Sequence, residues 1–459
     1  MKSLLPPTPL STRILPGPGA LAAGPPRAER LASRWLSCAL VFAVGLLGVA
    51  QASAQYIPDI GAVEGAEIPA EEKLDQAYDE ARWRLGTLKI EPFIGLRDAS
   101  IVSNQDPQNP DDDDTDFTAT VGAGLRLYAK PSSKVIFAAH ALPDYVWWQD
   151  DSDRSRLNVN LGLGVFGHLN RVNFEVSARR IEQQRFFSSE VPILSTTERD
   201  LVKAAIEFEV SRGIRVYAVA RDLEVTSSDE DAPLFARVDR EEQRVAVGIR
   251  LESRRGLWAD VAYEDSEVEF APTARPLSNE GTTIGVAVGL DRNRFSGSVR
   301  VAFRDLEPLG ADSIFVPLDD VTGSAELLWQ PRRNLGFVAF ARRGQSYALD
   351  LDQSYFIADR YGLTARFGLG QAYFQVTGAV GEDDYESAVG SDRLDDVEEV
   401  SAVLAVPVRD LLVISLQGSI TEYDSNLPGF DRDVTAYGVN IQLGSIAEKL
   451  RLGRVGGDW

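Results

Sequence analysis

The residues of this 459-residue chain whose types most readily do chemistry are few: His140, His168, Cys38 and the acidic run Asp111-Asp112-Asp113-Asp114. A histidine acting as general base needs a nucleophile within hydrogen-bond reach, and no serine or cysteine motif sets one beside either imidazole. Two histidines and one cysteine cannot assemble a zinc-type ligand set by spacing. The aspartate run lacks the spaced oxygen ligands and the glycine of a calcium loop, and it reads as a solvated loop. Gly162-Leu163-Gly164-Val165-Phe166-Gly167 fits the string G-x-G-x-x-G, but it lies inside an alternating strand with no helix after it. The geometry that cradles a phosphate is therefore missing. The sequence names no catalytic residue, no cofactor and no metal, and it reads as a non-enzyme.

A second set of polar residues repeats along the chain instead of clustering. Arg126, Asn158, Asn160, Glu175, Arg179, Lys203, Glu207, Arg244, Arg250, Asp260, Glu264, Arg300, Arg304 and Arg366 each fall on the polar side of an alternating segment. Fixed charges arranged around a passage set its ion preference, and arginine is the most frequent member here. The competing expectation is that these charges pair with one another across a filled interior.

The elements that must carry them are β-strands. Leu157, Val159, Leu161, Leu163 and Val165 alternate with Asn158, Asn160, Gly162, Gly164 and Phe166. Leu88 to Leu96 and Phe117 to Leu127 repeat the pattern, as do segments from Val172 to Ala178 through to Tyr437 to Leu443. About eighteen such segments are expected, each near the ten-residue length of a tilted membrane strand. Tight turns such as Leu169-Asn170-Arg171, Ser211-Arg212-Gly213 and Ser253-Arg254-Arg255-Gly256 alternate with long acidic loops. Those loops include Asp98 to Asp116, Ser188 to Thr197, Ser227 to Ala236, Glu307 to Asp320 and Glu382 to Asp396.

Alternation of connection length, with an even strand number, predicts an all-β fold: a closed antiparallel transmembrane β-barrel over residues 86–444. A bilayer offers no hydrogen bonds to a free sheet edge, so closure is obligatory, with Leu, Val, Ile and Phe facing lipid. Phe117, Trp147, Phe208, Tyr263, Phe295, Trp329 and Phe337 sit near strand ends on the apolar face, where an interfacial girdle places them.

The N-terminal part differs. Arg27, Arg30 and Arg34, an apolar run from Trp35 to Val49, and Ala52-Ser53-Ala54 have the three parts of a secretory signal, predicting cleavage after Ala54. Residues 55–85 are expected to be a periplasmic segment, with a short helical lead-in over Glu71 to Arg84, and residues 445–459 a tail. The chain carries a formal charge of -22, and loss of the signal makes it more acidic and cysteine-free. Such acidity argues against a nucleic-acid partner, and a mean hydropathy of -0.14 excludes a bundle of membrane helices.

Arg84-Leu85-Gly86-Thr87-Leu88-Lys89-Ile90-Glu91-Pro92-Phe93-Ile94, followed by the strand, arginine-bearing turn, strand rhythm to Leu443, resembles the β-barrel porin 2 family of bacterial outer-membrane proteins. The resemblance extends over roughly four-fifths of the chain. It implies residence in the outer membrane of a Gram-negative cell, with membrane lipids and the barrel-assembly machinery as partners. The leading expectation is a passive pore for small hydrophilic solutes, anionic ones among them. The alternatives are an outer-membrane component of exopolysaccharide export, and a structural or adhesive barrel with a closed lumen. The oligomeric state stays open.

Overall fold

A computed structural model describes residues 74–444, apart from 76–77, 80, 82, 104–114, 151, 153–154, 187–193, 228–234, 273–274, 293, 350–352, 371, 388–392 and 409–411. The expected signal, Cys38, the Asp111–Asp114 run and the C-terminal tail lie outside the described residues.

The chain forms eighteen antiparallel staves closed into one ring. They are β1 (Leu88–Ser103), β2 (Thr115–Ser132), β3 (Val135–Ala141 with Asp144–Trp148), β4 (Arg156–Asn158 with Asn160–Leu169), β5 (Val172–Phe186) and β6 (Leu194–Ser211). Next come β7 (Ile214–Ser227), β8 (Arg240–Glu252), β9 (Leu257–Phe270), β10 (Asn279–Arg292), β11 (Phe295–Pro308) and β12 (Leu318–Arg332). The ring is completed by β13 (Leu335–Tyr347), β14 (Tyr355–Leu369), β15 (Ala372–Glu386), β16 (Arg393–Val408), β17 (Leu412–Ser425) and β18 (Arg432–Gly444). Neighbours in sequence are neighbours in space, and β18 returns to β1 through pairs such as Ile94↔Leu443 and Ile101↔Tyr437. With that seam made, no edge is left to find a partner in lipid.

The exterior is greasy. Val245, Val247, Ile249, Val261, Ile284, Val286, Val299, Val301, Leu363 and Val380 are each about half exposed, an arrangement that costs free energy in water and none in hydrocarbon. Trp147, Phe208, Tyr263, Phe295 and Trp329 are exposed on the same face; Phe117 meets Trp147 edge-on and Phe337 stacks on Trp329. No described helix is long and apolar enough to cross a membrane; this barrel crosses with strands.

The tight turns use left-handed backbone where the strands must reverse. Gly213 (φ 80°) supplies it between β6 and β7, and Asn170 (φ 55°), a side chain that tolerates this conformation, between β4 and β5. Exposed arginines crowd this rim, among them Arg171, Arg212, Arg254, Arg255, Arg332 and Arg333.

Several expectations are corrected. The long connections are shorter than the sequence suggested: β1 runs to Ser103, β6 begins at Leu194, β15 continues to Glu386 and β16 starts at Arg393. The apolar period stops where a strand leaves the bilayer, whereas backbone pairing continues. Asp222, Glu224, Glu241, Asp265, Glu267, Glu280, Asp305 and Glu307 thus stand on the outer face of paired strand above the greasy band. The helix expected over Glu71 to Arg84 stops short, because Trp83–Leu85 pairs with the start of β1. Half of that segment is outside the described residues; Leu74, Asp75, Tyr78 and Asp79 are helical. Leu74 packs with Ile136 and Phe166, and Asp75 pairs with Lys130 at 2.6 Å, so this stretch meets the inner wall of β2–β4.

Candidate functional site

The candidate site is the inner wall. In a strand, successive side chains alternate between faces, so an exposed lipid-facing residue fixes its neighbours as inward. By that register all fourteen polar positions singled out in the sequence lie opposite the apolar exterior: Arg250 between Ile249 and Leu251, Arg300 between Val299 and Val301, and so on around the ring.

Many of these groups neutralise one another along the wall. Lys203 meets Glu175 at 2.9 Å, Arg215 meets Glu207 at 3.3 Å, and Arg126 lies 3.9 Å from Glu91. Arg244 reaches Glu242 at 2.6 Å and Glu264 at 3.7 Å, while Arg250 reaches Glu252 at 3.0 Å. Asp260 accepts the Tyr217 hydroxyl proton at 2.7 Å. Asn158 donates to Asp144 at 3.1 Å, and Asn160 is 3.0 Å from His140 Nε2.

Others form no ion pair among the described residues. Arg366 donates to the neutral Gln375 at 2.6 Å and lies over Tyr373. Arg179 has only Asn160, at 3.5 Å, and Arg304 only Gln345, at 3.3 Å. Arg342, which sequence reasoning missed by ending its strand at Ala341, lies over Phe340 and forms no ion pair. Continuing the alternation Val338, Phe340, Arg342 would have found it.

Register links several of these into one line. Arg215↔Arg250↔Asp260↔Ala287↔Arg300↔Ser324↔Arg342↔Arg360 are directly paired across β7 to β14. Such a row runs perpendicular to the strands, and barrel strands tilt by roughly 35–45°, so the row climbs the wall like a stair. Arg215 is next to the β6–β7 turn, and Arg360 is nine residues short of the β14 end, toward the long-loop mouth. Five of its eight members are arginine and one is acidic.

Aromatic rings lie flat against the wall where a neighbouring strand offers glycine. Tyr217 covers Gly248 and Trp258 covers Gly289, with no room for a Cβ at either glycine. Gly248→Ala should force the Tyr217 ring inward and break its bond to Asp260, costing about 1–3 kcal/mol as an overpacked site does. Chemical denaturation of the folded barrel, together with a smaller single-channel current, checks this.

One mouth is narrowed. After Gly323↔Arg343, β13 leaves β12 and its end turns inward with the start of β14. Gln345 then meets Arg304 on β11, and Tyr347 meets Asn279 on β10 at 3.0 Å. Arg275 and Arg237 donate to the carbonyl oxygens of Ala348 and Leu349. Tyr355 and Ile357 pack on Leu306, Phe315 and Leu318, while Phe356 and Ala358 pack on Tyr385. This hairpin end is buried on both faces, unlike the rest of the wall. Nearby, Arg393 is fully buried between the rings of Tyr385 and Phe430, with Asp395 at 2.6 Å.

Neither histidine has a nucleophile as partner: His168 Nδ1 is 3.1 Å from Asn173 Oδ1, and His140 faces Asn160. No cluster of three or more metal-ligating side chains occurs among the described residues. A closed ring of eighteen strands, apolar outside and polar within, is an outer-membrane type of β-barrel.

No protein-family model matches the chain, and no curated protein matches it. Solved structures that resemble it include OpdL of Pseudomonas aeruginosa, at 13% identity over 77% of this chain and 99% of that one, with TM-score 0.46. OpdK of Pseudomonas aeruginosa, solved with vanillate, is 10% identical over 77% and 98%, with TM-score 0.48. A BenF-like porin from Pseudomonas fluorescens Pf-5 is 11% identical over 77% and 98%, with TM-score 0.48.

Proposed function

We propose that the chain is a passive, non-catalytic outer-membrane pore for small hydrophilic solutes, with a preference for anions. The surplus of unpaired arginine on the inner wall carries this reading. Charges that pair along the wall hold the staves in register and contribute little net field. The cations left over, Arg342, Arg366, Arg179 and Arg304, outnumber the inward carboxylates that form no ion pair, Glu209, Glu326 and Glu399. A passage with surplus fixed positive charge favours anions. The inturned hairpin narrows the mouth, which fits small solutes better than an exported polysaccharide, and membership of the β-barrel porin 2 family is part of the same proposal.

Purified protein in a planar bilayer should give stable open current, and a potassium chloride gradient should give a reversal potential displaced toward that of chloride. Silence from correctly folded protein would favour a closed structural or adhesive barrel, and a cation-displaced potential would sink the assignment of the arginines.

A further inference from the structure

Beneath the inturned hairpin, four buried side chains converge with hydrogen-bonding capacity that no protein group takes up. Arg304, on the inner face of β11, is 5% exposed; Gln345, on the hairpin, is 6% exposed; Thr283 and Thr322 are each 1% exposed. Thr283 is directly paired with Arg304 across β10 and β11, and Thr322 is paired with Ala302, two residues along from Arg304. Arg304 Nη1 donates to Gln345 Oε1 at 3.3 Å. Arg304 Nε, Gln345 Nε2 and both threonine hydroxyls have no partner in the protein.

The surrounding carboxylates are already engaged. Glu242 receives Arg240 at 2.7 Å and Arg244 at 2.6 Å, and Glu264 lies 3.7 Å from Arg244. Asp320 faces Arg304 in the register, but its oxygens accept from Arg343 and from the Val321 N–H, both at 2.6 Å. Arg304, whose one side-chain partner is the neutral Gln345, is thus left without an ion pair. A buried cation without a counterion costs several kcal/mol, and unused buried donors add to the cost.

We propose that Arg304, Gln345, Thr283 and Thr322 form a buried site for a small inorganic monoanion of about chloride's size. The ion accepts hydrogen bonds from wall and hairpin together, and so ties the hairpin to β10–β12. The site rests on the fold alone and stands or falls separately from the pore reading.

Crystals of the detergent-purified barrel grown with sodium bromide, measured at the bromine absorption edge, should show an anomalous peak in contact with Arg304 Nε and Gln345 Nε2. Density there without anomalous signal means water, and overturns the proposal. In solution, replacing gluconate by chloride at constant ionic strength should raise the thermal unfolding midpoint in a saturable way. Gln345→Leu, which keeps the charge and removes one donor, should weaken the half-saturating chloride concentration about tenfold, as expected for loss of one hydrogen bond to an ion. Identical midpoints in the two salts would also overturn it.

Discussion

Replacing Arg179, Arg342 and Arg366 together by glutamine should abolish the anion preference of the pore, with the chloride-to-potassium permeability ratio falling at least about fivefold. Two unit charges 4 Å apart in water interact by about 1 kcal/mol, roughly a fivefold factor, and a narrow passage with low-dielectric walls does not weaken this. The three positions occupy the inner face of β5, β13 and β14, and none forms an ion pair among the described residues. Lys203→Gln is the contrasting case, since Lys203 meets Glu175 at 2.9 Å. Removing it should shift the ratio only slightly in the same direction, toward cations, and cost stability through the unpaired Glu175. Reversal potentials measured across a salt gradient check both. An unchanged ratio in the triple variant removes the unpaired arginines from the mechanism.

The second large effect separates the two faces of one strand. Val286 is 49% exposed on the outside of β10 in the middle of the greasy band, and the adjacent Ala287 faces inward between Asp260 and Arg300. Val286→Arg should destabilise the barrel by about 2–4 kcal/mol in a bilayer, the cost of a cation near the midplane. Ala287→Arg, one residue away, should cost less than about 1 kcal/mol, because its charge meets water and Asp260. Urea unfolding in lipid vesicles measures both. A soluble sandwich would reverse the order, with Ala287 in a packed core and Val286 in solvent.

The period-two alternation was enough to find the staves, their even number and the inward set, because each follows from local chemistry. Leu157 and Asn158 announce their opposite faces without knowing any partner. The ends of the strands were harder to see. Glu224 and Glu241 are paired strand residues dressed as loop, since above the bilayer nothing demands an apolar outer face. The helix expected up to Arg84 failed for a different reason: Trp83, Arg84 and Leu85 are held by their register with Ile90, Lys89 and Leu88, a tertiary demand that outweighs helical spacing.

The inner wall shows the same divide. That Arg304 faces inward was legible; that Gln345 comes to lie beside it was not, because a hairpin leaving its neighbour at Arg343 is a departure from the repeat. Pairings such as Tyr217 with Gly248 are likewise decided by inter-strand register, which the spacing within a single strand does not reveal.

The seam between β18 and β1 has a topological consequence. It is antiparallel like every other junction, and the beginning of β1 and the end of β18 arrive at the same short-turn rim. Hydrogen bonding therefore marks no stave as first or last, and the circle could be opened at another long loop and rejoined here with the same contacts. What does single out this junction is distance along the chain: it joins strands from opposite ends of the barrel, so closing it costs more loop entropy than closing any hairpin.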